Sequence, residues 1–63
     1  MDSPARILLV DDDVTLIRAL ELYLTRAGYK VESATTGLEG LRQLFARRPD
    51  IVILDVMMPE MDG

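Results

Sequence analysis

Hydrophobic positions along the chain follow two kinds of pattern. Arg6-Ile7-Leu8-Leu9-Val10 and Ile51-Val52-Ile53-Leu54 are short apolar runs without alternation. Strands buried on both faces look like this, and parallel sheets produce them. Each run stops at aspartate, a poor strand former. From Val14 to Ala27 the polar residues Thr15, Arg18, Glu21 and Thr25 trace one stripe, while Val14, Leu16, Ile17, Leu20, Leu24 and Ala27 fill the rest. That spacing predicts an amphipathic helix. Asp13 or Asp12 suits its N-cap, where a carboxylate accepts from free N–H groups and complements the dipole. Gly28 suits the left-handed position just past its end. Lys30-Val31-Glu32-Ser33-Ala34 alternates charged with small or apolar residues, as an edge strand does. Thr36-Gly37-Leu38-Glu39 matches a capping box. It opens a second helix with an apolar stripe of Leu38, Leu41, Leu44 and Phe45. Pro49 ends that helix by Arg48, because helical geometry is disfavoured just before a proline. The order is β-α-β-α-β, and right-handed crossovers turn it into a parallel sheet with helices on its faces.

Composition narrows the possibilities. The chain has 63 residues, 49% hydrophobic and 29% charged, which suits one small globular domain. Burial of apolar surface yields about 90 kcal/mol by area bookkeeping, against about 95 kcal/mol for ordering the chain. The near-zero balance points to help from a partner copy, a metal or more chain. With no cysteine and no histidine, disulfides, thiol chemistry and the commonest general base are excluded. The net charge of −4 argues against direct nucleic-acid contact, since a phosphate-backbone binder is expected to be basic. No apolar run is long enough for a membrane span. The tail Met1–Ala5 lacks the layout of a secretory signal. These features together point to the cytoplasm. Gly37-x-x-Gly40 is not a phosphate loop, because no Gly-Lys-Ser/Thr follows. Arg42, Arg47 and Arg48 read as a solvated helix end, and Met57, Met58 and Met61 as packing residues.

The candidate chemistry lies at the strand ends. Val10 leads into Asp11-Asp12-Asp13, and Leu54 leads into Asp55. In an open parallel sheet, ligands bind beyond the carboxyl ends of the strands, where successive connections leave in opposite directions. If the first strand lies between the other two, Asp11, Asp12 and Asp55 share that crevice. Their mutual repulsion is relieved by a divalent cation, and Mg²⁺ favours such oxygen ligands.

The two segments Ile7-Leu8-Leu9-Val10-Asp11-Asp12-Asp13 and Ile53-Leu54-Asp55-Val56-Met57-Met58-Pro59-Glu60-Met61-Asp62-Gly63, with the Thr36-Gly37 turn and the spacing of all the elements, resemble the response-regulator receiver domain of two-component signalling. The resemblance covers residues 1–63 apart from the tail 1–5. It implies a truncated flavodoxin-like α/β half-domain, β1-α1-β2-α2-β3, with parallel strands in the order 2-1-3. It also implies roles. Asp55 would be the aspartate that takes a phosphoryl group from a partner sensor histidine kinase. Asp11 and Asp12 would hold Mg²⁺, Asp12 directly and Asp11 partly through water, with Asp55 and the backbone carbonyl of Met57 completing the ligands. Such a domain is a phosphoacceptor and not an enzyme.

The resemblance stops at half a domain. Missing from these residues are the family's fourth strand, with its phosphoryl-sensing Ser/Thr, and its fifth strand, with its lysine. The expectation is a fragment that keeps the acid pocket and loses the switch. Its third strand, Ile51 to Val56, would become an exposed apolar edge and pair with a second copy, giving a homodimer or higher assembly. Two other classes stay open. One is an assembly module with a vestigial pocket. The other is a Mg²⁺-dependent phosphohydrolase with an aspartate nucleophile, against which stands Met57 where such enzymes carry an acid.

Overall fold

The computed structural model of the chain describes residues 4–54. The elements are β1 (Arg6–Val10), α1 (Val14–Arg26), β2 (Lys30–Ala34), α2 (Gly37–Arg47) and β3 (Ile51–Leu54). All strands run parallel, in the order β2-β1-β3. The run without alternation is therefore the central strand. Ile7, Leu8, Leu9 and Val10 are at most 4% exposed, because β1 has a strand on each edge and a helix over each face. Arg6 pairs with Lys30 and Val10 with Ala34 on one side. On the other, Ile7 pairs with Ile51 and Val10 with Leu54.

Alternate residues of a strand point to opposite faces, and this divides the sheet. Leu9 and Ile53 share a groove with Leu16, Ile17 and Leu20 of α1. Leu8 and Val52 share another with Leu41 and Leu44 of α2. The core is small: beyond β1 it holds only Ile17 and Ala34 among the described residues. The apolar stripe of α2 is not buried. Leu38, Leu41, Leu44 and Phe45 are all exposed, Phe45 to 75%. On α1, Val14 and Leu16 are exposed and Ile17 is buried. The physical reason is coverage: the grooves beside both helices lie open over β3, whose residues remain exposed on both faces.

Helix ends show how local chemistry sets the boundaries. Asp13, not Asp12, caps α1: its Oδ1 accepts from the Leu16 N–H at 3.1 Å. At the other end Ala27 is the C-cap and Gly28 takes a φ of 103°. The Gly28 N–H donates to the Thr25 carbonyl and the Tyr29 N–H to the Leu24 carbonyl, which satisfies two otherwise free carbonyls in a Schellman arrangement. The capping box of α2 is half made. Thr36 Oγ1 accepts from the Glu39 N–H at 3.1 Å. The Glu39 carboxylate accepts instead from the Gln43 side-chain amide, one turn on. Pro49 ends α2 by the expected route but with an unexpected conformation: Arg48, the C-cap, adopts a φ of 50°.

One close approach fixes α2 over the sheet. A Cβ built on Gly40 would lie 2.9 Å from Val10 Cγ2 and 3.2 Å from Cγ1. Val10 is buried and, being β-branched, stiff at χ1, so glycine lets the helix sit this near β1 without forcing that side chain to shift. Gly40→Ala should destabilise the fold by about 1–2 kcal/mol in urea titration, the overpacking outweighing the gain in helix propensity. With Val10→Ala present the same change should become neutral or stabilising. Equal penalties in both backgrounds would show that the contact is not the cause.

Candidate functional site

The acidic turn grows directly out of the central strand. The Asp11 N–H donates to the Ala34 carbonyl at 3.1 Å, so the ladder between β1 and β2 extends one residue past Val10. Asp11 is half-buried, while Asp12 and Asp13 are exposed. The chain then turns sharply. Asp11 Oδ1 accepts from the Asp13 N–H at 2.9 Å, an Asx-type bond that side chains of this length make readily. The Asp13 carboxylate caps α1, and the Asp13 carbonyl accepts from the Ile17 N–H at 3.0 Å. Three consecutive aspartates thus have three different situations. Asp13 is committed to the helix. Asp11 is held by one oxygen with the carboxyl group at the strand end. Asp12 stands on an exposed bend.

Asp11 and Asp12 therefore lie where the sequence places them, at the carboxyl end of β1. Asp55 and Met57 lie outside the described residues. Among the described residues no three acidic side chains converge well enough to hold a metal ion by themselves, which is consistent with the use of Asp13 as a cap. The donor set that is present, carboxylate oxygens on a half-buried and an exposed aspartate, has the hard-oxygen character that Mg²⁺ takes. β3 brings its own end close by register: Leu54, the residue before Asp55, pairs with Val10, the residue before Asp11.

Two residues that fix the elements around the site, Gly40 beside it and Asp50 at the opposite end of the sheet, were not given these roles from the sequence. Gly40 lets α2 press on Val10, one residue before the acidic turn. A close helix-to-strand approach shows in sequence only as a glycine inside a helical pattern, which is a weak signal. Asp50 ties the start of β3 to the start of β1. Its carboxylate accepts from the Arg6 N–H at 2.8 Å, and its own N–H donates to the Arg6 carbonyl at 2.8 Å. The Arg6 guanidinium donates to the Arg47 carbonyl at 3.0 Å, so the end of α2 joins the same knot.

Residues 7–63 match the model of the response regulator receiver domain. The chain is 53% identical over 61 residues to the transcriptional regulatory protein GlrR of Escherichia coli (strain K12), covering 97% of this chain and 14% of that one. It is 49% identical over 57 residues to the transcriptional regulatory protein AfsQ1 of Streptomyces coelicolor, covering 90% of this chain and 25% of that one. The response regulator MprA of Mycobacterium sp. (strain KMS) is 50% identical over 60 residues, covering 95% and 26% respectively. The chain thus spans about a quarter or less of the length of these relatives.

Asp13→Ala should cost about 1 kcal/mol of stability by removing the cap of α1, and Asp13→Ser should recover most of it. Urea titration of both variants checks this. If serine were as costly as alanine, the carboxylate would have a role beyond capping.

Proposed function

Because the chain belongs to the response regulator receiver domain family, we propose that it carries that domain's phosphoacceptor pocket. In this reading Asp55 receives a phosphoryl group from a sensor histidine kinase. One observation supports it above the others: the parallel register of β1 and β3 ends with Val10 beside Leu54. Both residues are followed directly by aspartate. β1 is the strand where connections diverge, since β2 and β3 lie on opposite sides of it. Ligand crevices form at the carboxyl ends of strands at such a point.

The residues divide the work as follows. An Asp55 carboxylate oxygen attacks the phosphorus of the donor. The phosphorus–nitrogen bond to the donor imidazole breaks, the imidazole leaves with the electron pair and takes up a proton, and an acyl phosphate remains on Asp55. Asp12, Asp11, Asp55 and the Met57 carbonyl would hold Mg²⁺, which supplies charge neutralisation to the phosphoryl oxygens. Asp11 is oriented for this by the bond from the Asp13 N–H, which occupies one oxygen and leaves the other available. The chain acts as an acceptor and not as a turnover catalyst. Met57 stands two residues after Asp55, where an aspartate-nucleophile hydrolase would need an acid.

The wider reading follows from the same family. No described helix is long and apolar enough to cross a membrane, and the domain is read as cytoplasmic. Two of the relatives are transcriptional regulatory proteins. A longer protein carrying this domain would pass the phosphoryl signal to transcription through other parts, without nucleic-acid contact by these residues. The exposure of β3, 43–47% at every residue, favours a second reading alongside: the polypeptide self-associates through that strand.

Incubation with a small phosphodonor and Mg²⁺, followed by intact mass, tests the pocket. Modification should occur on the unsubstituted chain and be absent in Asp55→Asn. Mg²⁺ titration should show a weak site that Asp12→Ala removes. Label surviving Asp55→Asn would overturn the assignment of the acceptor.

A further inference from the structure

Resting on the phosphoacceptor reading, we propose that Asp13, which is outside the ligand set assigned to that pocket, is a positioning residue for it. Its bonds to α1 fix the direction of the N–H that holds Asp11, so Mg²⁺ binding and the order of the first turn of α1 are linked.

The acidic turn is clamped from both sides by groups outside it. Upstream, the Asp11 N–H donates to the Ala34 carbonyl at 3.1 Å, and both Ala34 and Val10 are buried. Downstream, the Asp13 carbonyl accepts from the Ile17 N–H at 3.0 Å, and Ile17 is the buried residue of α1. The two anchors are joined directly, since the Asp13 N–H donates to Asp11 Oδ1 at 2.9 Å. Asp12 alone bridges these fixed neighbours.

Asp13 decides whether the bridge keeps its shape. It stands in extended backbone, with a φ of −89° and a ψ of 98°. Its Oδ1 accepts from the Leu16 N–H at 3.1 Å, a donor of the first turn that no helix carbonyl reaches. That bond holds the Asp13 side chain over the helix end, and with it the backbone whose N–H meets Asp11. Without the bond the first turn frays, Asp13 rotates and Asp11 loses the donor on Oδ1. The Asp11 carboxylate then has rotamer freedom that a bound cation must remove, which costs affinity. The linkage runs both ways: a cation that prefers the clamped carboxylates stabilises the first turn by the same factor.

Charge offers a competing account. Asp13 adds a negative charge beside the pocket, and this attracts a cation whether or not the side chain caps the helix. Two substitutions separate the accounts. Asp13→Asn discards the charge and keeps a preferred cap, whereas Asp13→Glu keeps the charge on a longer side chain that is not among the preferred caps.

Calorimetric titration with Mg²⁺ compares the unsubstituted chain with Asp12→Ala, Asp13→Ala, Asp13→Asn and Asp13→Glu, with circular dichroism to confirm folding. Asp13→Ala and Asp13→Glu should bind about threefold to tenfold more weakly, and Asp13→Asn should recover most of the loss. Hydrogen exchange at the Leu16 amide of the unsubstituted chain should slow several-fold as Mg²⁺ saturates it. If Asp13→Ala fails to fold, Asn against Glu decides alone. Affinity that follows charge, with Asp13→Glu close to the unsubstituted chain and Asp13→Asn the weaker of the two, would overturn the positioning role. A Leu16 amide indifferent to bound Mg²⁺ would overturn the linkage. Both of these results leave the pocket standing when Asp12→Ala abolishes the site. A chain with no Mg²⁺ site that Asp12→Ala removes would overturn the pocket and the inference together.

Discussion

The structure depends on the central strand being paired along both edges and covered on both faces. Ile7 to Val10 supply most of the buried side chains among the described residues. Both neighbouring strands are placed by register with β1. Dispersion and burial act on the side chains, while the ladders on both sides satisfy the backbone. The position of the acidic turn follows from this. Asp11 continues the ladder with β2 through its N–H and only then leaves the sheet, so the carboxylates start from the most buried strand, the one paired on both edges.

The same arrangement explains the uneven burial. A three-stranded sheet with one helix per face can shield its middle strand but not its margins. β3 shows the consequence, exposed on both faces despite an apolar sequence. The α2 side chains Leu38, Leu41, Leu44 and Phe45 show it as well. Apolar surface of this extent calls for a covering partner.

Much of the fold was legible because its signals are local. Apolar runs stopped by aspartate marked β1 and β3, the polar stripe from Thr15 to Thr25 marked α1, and Gly28 and Thr36 marked their turns through backbone chemistry. The strand order of 2-1-3 followed from the family resemblance. Burial was less legible, because a helical stripe reveals which residues share a face but not whether anything lies against it; Phe45 is the example. The contacts between distant segments were not legible at all. Nothing near Gly40 in sequence reveals Val10, and nothing near Asp50 reveals Arg6. The acidic site was half legible in the same sense: the aspartates declare themselves by type and place, whereas their separation across the sheet is a tertiary quantity. Asp13 could be distinguished from Asp12 as the cap only by the geometry of the turn.

The knot at the start of β1 has a mechanical side. Lys30 reaches across with its N–H to the Ala5 carbonyl on one flank, and Asp50 grips both backbone groups of Arg6 on the other. A load that pulls the amino terminus along the strand axis therefore strains bonds on both flanks together, in shear. Among the described residues these bonds lie at the end of the sheet opposite the carboxylates, so a load entering there meets them before it reaches the acidic turn.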